Sequence, residues 1–251
     1  MQEESKNNPN IKAYIEKVIA ASGDFFLNEE ENKTAPAPKE IITLQEFLST
    51  IEKSSSKERG YCFRFGRNAT ADDIKQLFEI MLIEKDHKKL LHYLFVFSKT
   101  EMPDVSETIM ALTESDDKEL RNAAINALAN IKNNVVRELA LKLLDNGRLD
   151  ALALFIHNYC EGDFKLIFSK LPEHDDPDDI HWYTGHILGL CDKNICSEAT
   201  ECLLWIYENT PCSICREESV SNLIEIEKFP KALEEEFKYD CHEYDTKSVI
   251  N

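Results

Sequence analysis

The sequence predicts an all-α protein, a right-handed α-solenoid in which antiparallel helix pairs stack side by side. Three observations support this prediction. Apolar residues recur three and four positions apart along most of the chain, which is the spacing of one face of an α-helix. A central segment repeats itself after 29 residues, and periods of this length are typical of stacked helical units. Only 7 Gly and 8 Pro occur, fewer than a β-rich fold needs for its turns.

The first part of the chain predicts two helices joined by a linker. Residues 11–22 form a short amphipathic helical pattern, whereas residues 28–40 are acidic and contain two prolines, which indicates a loop. Thr43 and Glu46 then have the spacing of a capping box and predict a helix that runs to about Lys53.

The predicted domain organisation follows from the break after this helix. The stretch "KSSSKERG" interrupts the helical pattern, and we place a boundary within it. We therefore predict an N-terminal helical segment with an acidic, proline-containing linker over residues 1–56, and a solenoid over residues 57–251.

The stretch after the boundary begins with an ambiguous pattern. Aromatic residues alternate with others in "YCFRFGR", but this run of period two is too short to predict a sheet. Thr70 and Asp73 have cap spacing, and strongly apolar helical patterns follow over residues 72–83 and 86–99.

The central stretch, from residue 103 to residue 160, has the clearest pattern. We expect Asp104 to cap a helix over residues 105–114, and Asp116 and Glu119 to occupy cap positions of the next helix. Stripes of apolar residues on successive helices follow, and the second stripe ends at "NG", which predicts a helix C-cap. The run "LDALALFIHNYC" predicts one more helix. The stripes contain Leu120, Ala123, Ala124, Ala127, Leu128 and Ile131, and then Val135, Val136, Leu139, Ala140, Leu143 and Leu144.

The repeat aligns two helix pairs within this central stretch. A shift of 29 residues matches Leu112 with Leu141 and Ala124 with Ala153, so that small residues recur where neighbouring helices must approach closely. The pattern continues more loosely with predicted pairs over 163–171 and 179–192, and over 197–209 and 213–228. A last helix begins near Pro230.

The stretch "DDKELRNAAINALANI" resembles a HEAT repeat, with an acidic capping turn, Arg121 four residues further on and alanines at packing positions. The resemblance covers residues 104–160 closely and extends more weakly to about residue 240. Other parts of the chain resemble bacterial HEAT-repeat proteins to which no activity is attached. The resemblance implies an α-solenoid that binds other macromolecules.

Composition and missing motifs exclude several classes of function. The formal charge of -18 disfavours a broad nucleic-acid or anionic-membrane surface. No Gly-rich phosphate loop, no GxSxG elbow and no HExxH motif occurs. No apolar run approaches the length of a membrane span, the first residues lack a signal-peptide pattern, and the eight cysteines fit reduced thiols in a cytoplasmic protein.

The cysteines of "TPCSICRE" allow a structural, a metal-binding or a redox interpretation. Cys212 and Cys215 offer two zinc ligands, and Cys241 and His242 are candidates for the other two. A redox pair would use the helix N-terminus to stabilise a thiolate, but no βαβ pattern surrounds these residues. The favoured interpretation is that both thiols pack as small apolar groups, so that the protein needs no cofactor.

An acidic loop is the second group of potential metal ligands. It contains His174, Asp175, Asp176, Asp178, Asp179 and His181, but the spacing of an EF-hand is absent. We expect Asp178 and Asp179 to cap a helix that begins near Ile180, and the loop to be solvated.

Candidate partner-binding residues come from a basic cluster and from the tryptophans. Arg59, Arg64 and Arg67 are interleaved with aromatic residues, an arrangement that stacks bases, grips phosphate, or pairs with an acidic protein body. Trp182 and Trp205 are candidates for a binding groove or for the core.

The predicted function is a non-enzymatic interaction module or scaffold. We expect it to bind a protein or peptide on the solenoid surface, and a basic partner in particular, because complementary charge speeds association. Two alternatives relate to DNA. HEAT-like solenoids include DNA-repair glycosylases, although these need a cationic groove, and an acidic surface can also mimic DNA and occupy a DNA-binding protein. Oligomeric state does not follow from the sequence.

Overall fold

The computed structural model describes residues 41–53, 58–173 and 175–237, and these residues form helices and connecting turns without a strand. The α-helices, numbered in chain order, are α1 (Leu44–Lys53), α2 (Arg59–Asn68), α3 (Ala71–Ile83), α4 (His87–Phe97), α5 (Glu107–Leu112), α6 (Lys118–Leu128), α7 (Asn134–Asp145), α8 (Asp163–Phe168), α9 (Pro177–Asn194), α10 (Thr200–Asn209), α11 (Ser213–Glu225) and α12 (Glu234–Phe237). Within the same residues, 3-10 helices lie at Leu149–Phe155, Ser197–Ala199 and Lys231–Leu233. The predicted all-α class is therefore confirmed.

Some predictions fall outside the described residues. These are the helix over residues 11–22, the linker over 28–40, His174, Cys241 and His242. The boundary near residue 56 stays a prediction. Helix α1, which precedes it, packs onto the described body through Phe47, whose ring stacks on that of Phe65 at 4.4 Å between centroids.

The two predicted capping boxes are confirmed. The backbone N–H of Thr43 donates to the Glu46 carboxylate at 2.9 Å, and the N–H of Glu46 donates back to the Thr43 hydroxyl at 3.3 Å. Thr70 and Asp73 make the same reciprocal pair at the start of α3. These local signals work because each pair satisfies N–H groups that have no partner within the helix.

Three other predicted caps are wrong by one or two residues. Ser106 rather than Asp104 caps α5, because the Asp104 carboxylate accepts the N–H of Val105 instead. Asp117 rather than Asp116 caps α6, and its carboxylate accepts the N–H groups of Glu119 and Leu120.

At α9 the cap is Asp176, not Asp178 or Asp179, because Pro177 starts the helix at its first position. The carboxylate of Asp176 accepts the N–H of Asp178 at 2.9 Å. Asp178 and Asp179 therefore lie in the first helical turn, where negative charge favours the helix dipole.

The "YCFRFGR" stretch is α-helical, because its aromatic residues contact neighbours on two sides of one helix. Tyr61 and Phe65 stack on Phe47 of α1, whereas Phe63 meets Phe95 of α4 edge-on at 6.0 Å between ring centroids. A helix in contact with two partners does not need a single apolar face, so a period of two does not exclude it.

The second central stripe and its C-cap are confirmed for the most part. Helix α7 buries Val136, Ala140, Leu143 and Leu144, although Val135 is exposed. Gly147 follows at φ +76° and donates its N–H to the carbonyl of Leu144, while Arg148 donates to Leu143. This pair of bonds is a Schellman motif, and the positive φ explains the glycine.

The next predicted helix, over "LDALALFIHNYC", is a 3-10 helix at residues 149–155. Its residues 151–155 are all buried, because α6, α7 and α9 pack around it. A 3-10 run of seven residues is longer than usual, and its burial on several sides accompanies this tighter form.

Six elements contact one another in sequence order, and we call them the helix row. Helix α2 packs on α4, α4 on α6, α6 on the 149–155 helix, that helix on α9, and α9 on α11. Most of the remaining helices pack beside a member of this row that follows them in the chain, as α5 packs on α6, α7 on the 149–155 helix and α10 on α11.

Asparagine side chains join successive members of the helix row. The amide of Asn130 donates to the carbonyl of Phe97, that of Asn158 to Ile131, and that of Asn194 to Ile156, at 2.9, 2.9 and 3.0 Å. Each of these amides also donates to the carbonyl four residues earlier in its own segment. The same device therefore recurs at three successive steps of the helix row, from α4 to α9.

An arginine recurs at the fourth position of two helices in the row. Arg121 of α6 donates to the carbonyl of Ser115, and Arg216 of α11 donates to that of Thr210, each six residues back and at 2.8 Å. Both bonds fix the turn that leads into the helix, since an orphan carbonyl there gains a charged donor.

Gly185 and Gly189 of α9 do not mark a close approach between helices. A Cβ at Gly185 would meet nothing within 4 Å, and one at Gly189 would touch only the side chain of Ile156 at 3.4 Å. The close approach occurs at Gly66 of α2, where a Cβ would lie 2.5 Å from the carbonyl oxygen of Val96.

Candidate functional site

The first candidate site is a groove between α6, the 149–155 helix and the start of α9. We call it the Trp182 groove, and it has a volume of about 420 Å³. Its residues are Lys118, Arg121, Asn122, Gly147, Arg148, Leu149, Asp150, Asp178, Asp179, Trp182 and Tyr183. Large aromatic rings beside charged groups are typical of surfaces that bind peptides.

The charged residues of the Trp182 groove differ between its two sides. Arg148 binds Asp150 through two hydrogen bonds of 2.8 and 2.5 Å, and Arg121 approaches the same carboxylate at 3.4 Å. Asp178 and Asp179 line the opposite side, on the exposed first turn of α9. The α9 side is therefore acidic.

A second groove, which we call the Phe95 groove, has a volume of about 260 Å³. The guanidinium of Arg59 lies 4.7 Å from the ring centroid of Phe95, and the Lys99 ammonium lies 4.8 Å from that of Phe63. Cation–π contacts of this kind hold both positive groups against the aromatic wall.

His186 forms another part of the Phe95 groove. Among the described residues its Nε2 atom has no hydrogen-bond partner, and its ring packs edge-on against Trp182 at 4.2 Å between centroids. Burial lowers the pKa of His186 to about 4, which keeps the ring neutral near pH 7.

Both grooves lie along the same stripes of the helix row. Along α6 and the turn that follows it, Lys118 and Asn122 line the Trp182 groove, and Asn126 and Asn130 line the Phe95 groove; these four residues are spaced by four. On α9, Trp182 and His186 have the same spacing. Residues four apart share one face of a helix, so the two grooves are consecutive parts of one surface.

The predicted partner-binding residues are divided between this surface and other places. Arg59 and Trp182 line the two grooves. Arg64 lies over the ring of Tyr61, and Arg67 is exposed at the end of α2. Trp205 is buried in α10, and its indole N–H donates to the carbonyl of Pro172 at 3.0 Å.

The second candidate site is a cluster of metal-ligand side chains between α9 and α11. His181, Cys212 and Cys215 each offer one ligand atom, and these atoms lie within 4.8 Å of one another. Nδ1 of His181 is 3.6 Å from the sulfur of Cys215. Among the described residues this is the one group of at least three His, Cys, Asp or Glu that could hold a metal ion.

The two cysteines differ in their surroundings. Burial on its own would raise the pKa of Cys212, but the backbone N–H and the thiol of Cys215 outweigh it, so the pKa of Cys212 lies below its ordinary value. Cys212 is the N-cap residue of α11, where N–H groups favour a thiolate. Burial, followed by the neighbouring Cys212, raises the pKa of Cys215 to about 12.

The described residues of the acidic loop form no metal-ligand cluster among themselves. Asp176 caps α9, and Asp175 accepts a hydrogen bond from the hydroxyl of Tyr183 at 3.2 Å. His181 instead approaches Cys215 of α11. Of the predicted ligands in this loop that the structure describes, His181 alone joins the cysteine cluster.

Comparisons with family models, with curated proteins and with solved structures gave no match. None of the helices in the described part of the chain combines the length and the apolarity needed to cross a membrane.

Sequence reasoning named all three residues of the cysteine–histidine cluster but not their juxtaposition, and it missed several residues of the grooves. His181 lies 34 residues before Cys215, and no short motif links them. The surface asparagines Asn122, Asn126 and Asn130 carried a signal that went unused, since polar residues spaced by four mark a helix face that does not enter the core.

Proposed function

We propose that the chain is a right-handed α-solenoid of the HEAT-repeat type and acts as a non-enzymatic interaction module. It binds an extended segment of a partner protein along the two consecutive grooves of the helix row, with basic residues of that segment against the acidic α9 side of the Trp182 groove. The observation that carries this proposal is the sharing of one stripe of α6 and one stripe of α9 by both grooves.

The contact order of the helices supports the solenoid. Each member of the helix row contacts the next, and the 29-residue repeat places α6 over the segment that contains the 149–155 helix. The recurring bonds of Asn130, Asn158 and Asn194 support the same architecture, because one device repeats at three successive steps of the row. Arg121 occupies the arginine position of the HEAT-like stretch, and Arg216 makes the same hydrogen bond at the fourth position of α11.

The charge balance favours a basic partner. Six ion pairs in the described part of the chain each join a basic side chain to a carboxylate: Lys89–Glu52, Arg121–Asp150, Arg137–Asp163, Lys142–Glu114, Arg148–Asp150 and Lys170–Asp145. Over the full sequence, 47 acidic residues outnumber 29 basic ones, so the net charge is negative. A field of this sign attracts cationic segments and repels nucleic acid.

The surface also suits an extended peptide backbone. The amides of Asn122 and Asn126 line successive grooves, and each amide can donate to and accept from a peptide unit. Trp182 offers an aromatic face for a cationic or aliphatic side chain next to Asp178 and Asp179.

A peptide library tests this proposal. Immobilised peptides of random sequence, grouped by net charge from acidic to basic, are probed with the labelled protein at several salt concentrations. We expect binding to the basic groups, with weaker binding as salt rises. A basic peptide selected on the wild-type protein is then measured with variants.

Groove variants and matched controls locate the site. We expect Trp182→Ala to weaken the selected peptide about tenfold or more, and Asp178→Asn with Asp179→Asn to weaken it about threefold to tenfold. Phe168→Ala on α8 and Glu138→Gln on α7, both outside the grooves, should leave binding unchanged. Equal effects of groove and control variants, or tight salt-dependent binding to duplex DNA instead of peptides, would contradict the proposal.

A further inference from the structure

The cysteine–histidine cluster joins two members of the helix row. His181 is on α9, while Cys212 and Cys215 are the N-cap and third residues of α11. The cluster shares no residue with the Trp182 groove or the Phe95 groove. Its chemistry is therefore independent of the peptide site.

The distances within the cluster fit a tetrahedral metal site. With bonds of about 2.3 Å to sulfur and about 2.0–2.1 Å to nitrogen, tetrahedral zinc separates sulfur from nitrogen by about 3.6 Å and two sulfurs by about 3.8 Å. The Cys215 sulfur and His181 Nδ1 are already 3.6 Å apart. All three ligand atoms lie within 4.8 Å of one another. A change of side-chain rotamer that moves the exposed His181 ring or the Cys212 sulfur by about 1 Å brings them to the distances of a tetrahedral site.

The ligand types select the metal. Two sulfurs and one imidazole nitrogen suit Zn²⁺, whereas Mg²⁺ and Ca²⁺ take oxygen ligands.

We propose that His181, Cys212 and Cys215 bind one zinc ion, which links α9 to α11. Cys212 and Cys215 match the sequence-predicted pair, and His181 is the third ligand in place of Cys241 or His242. Cys241 and His242 lie outside the described residues, and the proposal does not depend on them. The fourth position of the tetrahedron is available to water or to another ligand.

The first experiment measures metal in the full chain without a histidine tag. The protein is purified under reducing conditions, loaded with zinc and passed through a desalting column, and its metal content is determined by mass spectrometry. We expect one zinc per chain. Loading with Co²⁺ instead should give the visible absorption of a tetrahedral thiolate complex.

Variants separate ligation from folding. His181 is exposed, so His181→Ala should keep the helical circular dichroism spectrum while zinc affinity falls at least tenfold. Cys212→Ser should have the same effect, and Cys215→Ser provides a third variant for the same comparison. His157→Ala and Cys160→Ser, which remove a histidine and an exposed cysteine elsewhere, should retain the full zinc content.

Two results would overturn the zinc site. One is a wild-type protein that retains less than a tenth of an equivalent of zinc, including the case in which Cys212 and Cys215 are found joined in a disulfide. The other is a folded His181→Ala variant that keeps wild-type zinc affinity and an unchanged Co²⁺ spectrum.

Discussion

The side-chain amide of Asn158 donates a 2.9 Å hydrogen bond to the carbonyl oxygen of Ile131, which lies 27 residues earlier in the chain. Its second amide hydrogen bond goes to Leu154, and its side-chain oxygen accepts the N–H of Asn133 at 2.8 Å. One buried side chain thus satisfies backbone groups of the 149–155 helix and of the turn that follows α6. This arrangement makes asparagine a structural residue in this protein.

Replacing Asn158 with alanine should destabilise the protein by about 2–4 kcal/mol. The substitution leaves two carbonyls and one N–H without their partner in a buried place, and such groups cost free energy when they lose both water and hydrogen bond. Urea unfolding followed by circular dichroism measures the effect. The control is Asn222→Ala, whose amide bonds to Glu218 of its own helix at the surface and should change stability by about 0.5 kcal/mol or less. Equal losses in both variants would refute the structural role.

The Arg137–Asp163 ion pair joins α7 to the start of α8. Two hydrogen bonds of 2.7 and 2.9 Å connect the side chains, and the Asp163 carboxylate, 4% exposed, also accepts the N–H of Cys160. We expect Asp163→Asn to cost about 3–5 kcal/mol, because it leaves a half-buried guanidinium without its counter-charge. In the variant the Arg137 guanidinium stays charged, because arginine does not lose its proton in proteins.

An exposed ion pair provides the control for this prediction. Lys142 and Glu114 lie 2.6 Å apart, but both side chains are more than half exposed. Glu114→Gln should therefore change the free energy of unfolding far less than Asp163→Asn does. A loss at Glu114 as large as the loss at Asp163 would show that burial does not decide the strength of these pairs.

Gly66 and Gly60 allow a direct test of the packing between α2 and α4. A Cβ at Gly66 would clash with the backbone oxygen of Val96 at 2.5 Å, whereas one at Gly60 would meet nothing within 4 Å. Gly66→Ala should destabilise the protein by about 1–3 kcal/mol, since a backbone atom cannot move aside. Gly60→Ala on the same helix should be neutral or stabilise it by up to about 1 kcal/mol through helix propensity. Thermal unfolding measures the stability of both variants. A Gly60→Ala variant less stable than Gly66→Ala would contradict this packing.

His186 should make stability depend on pH. Burial lowers its pKa to about 4 in the folded protein, below the ordinary value of 6.5, although nearby Asp150 opposes the shift. The folded state therefore resists protonation, so this contribution is complete above about pH 6.5 and is lost as pH falls towards 4. The loss is on the order of 3 kcal/mol.

Unfolding of wild type and His186→Gln at pH 7 and at pH 4.5 measures this contribution. The variant should lose less stability than wild type between the two pH values, because glutamine does not titrate. His87→Gln, at the exposed start of α4, should behave as wild type. A His186→Gln variant with the wild-type pH dependence would show that other groups account for it.

Local sequence signals predicted the parts of the fold that neighbouring residues decide. The capping boxes at Thr43 and Thr70 and the glycine C-cap at Gly147 involve contacts within a few residues, and they are confirmed. Where several acidic residues were adjacent, as at Asp116 and Asp117, the sequence offered more than one cap, and backbone geometry chose between them.

The features that local sequence signals did not predict depend on contacts between residues far apart in the chain. The 149–155 segment has an α-helical apolar pattern, but enclosure by α6, α7 and α9 accompanies its 3-10 form. The approach of His181 to Cys215 depends on how α9 and α11 pack, and no spacing along the chain encodes it. The recurrence of Asn130 and Asn158, 28 residues apart, was visible in the sequence and becomes meaningful only with the bonds they form.

Hydrogen exchange with the selected basic peptide tests the central claim most directly. If the helix row presents the binding surface, the peptide should slow exchange in residues 118–128, 149–155 and 177–186, and leave α10 at residues 200–209 unchanged. Trp182→Ala should abolish this protection at the same peptide concentration. Protection confined to α10, or protection of the predicted segments that Trp182→Ala and Phe168→Ala reduce equally, would contradict the claim.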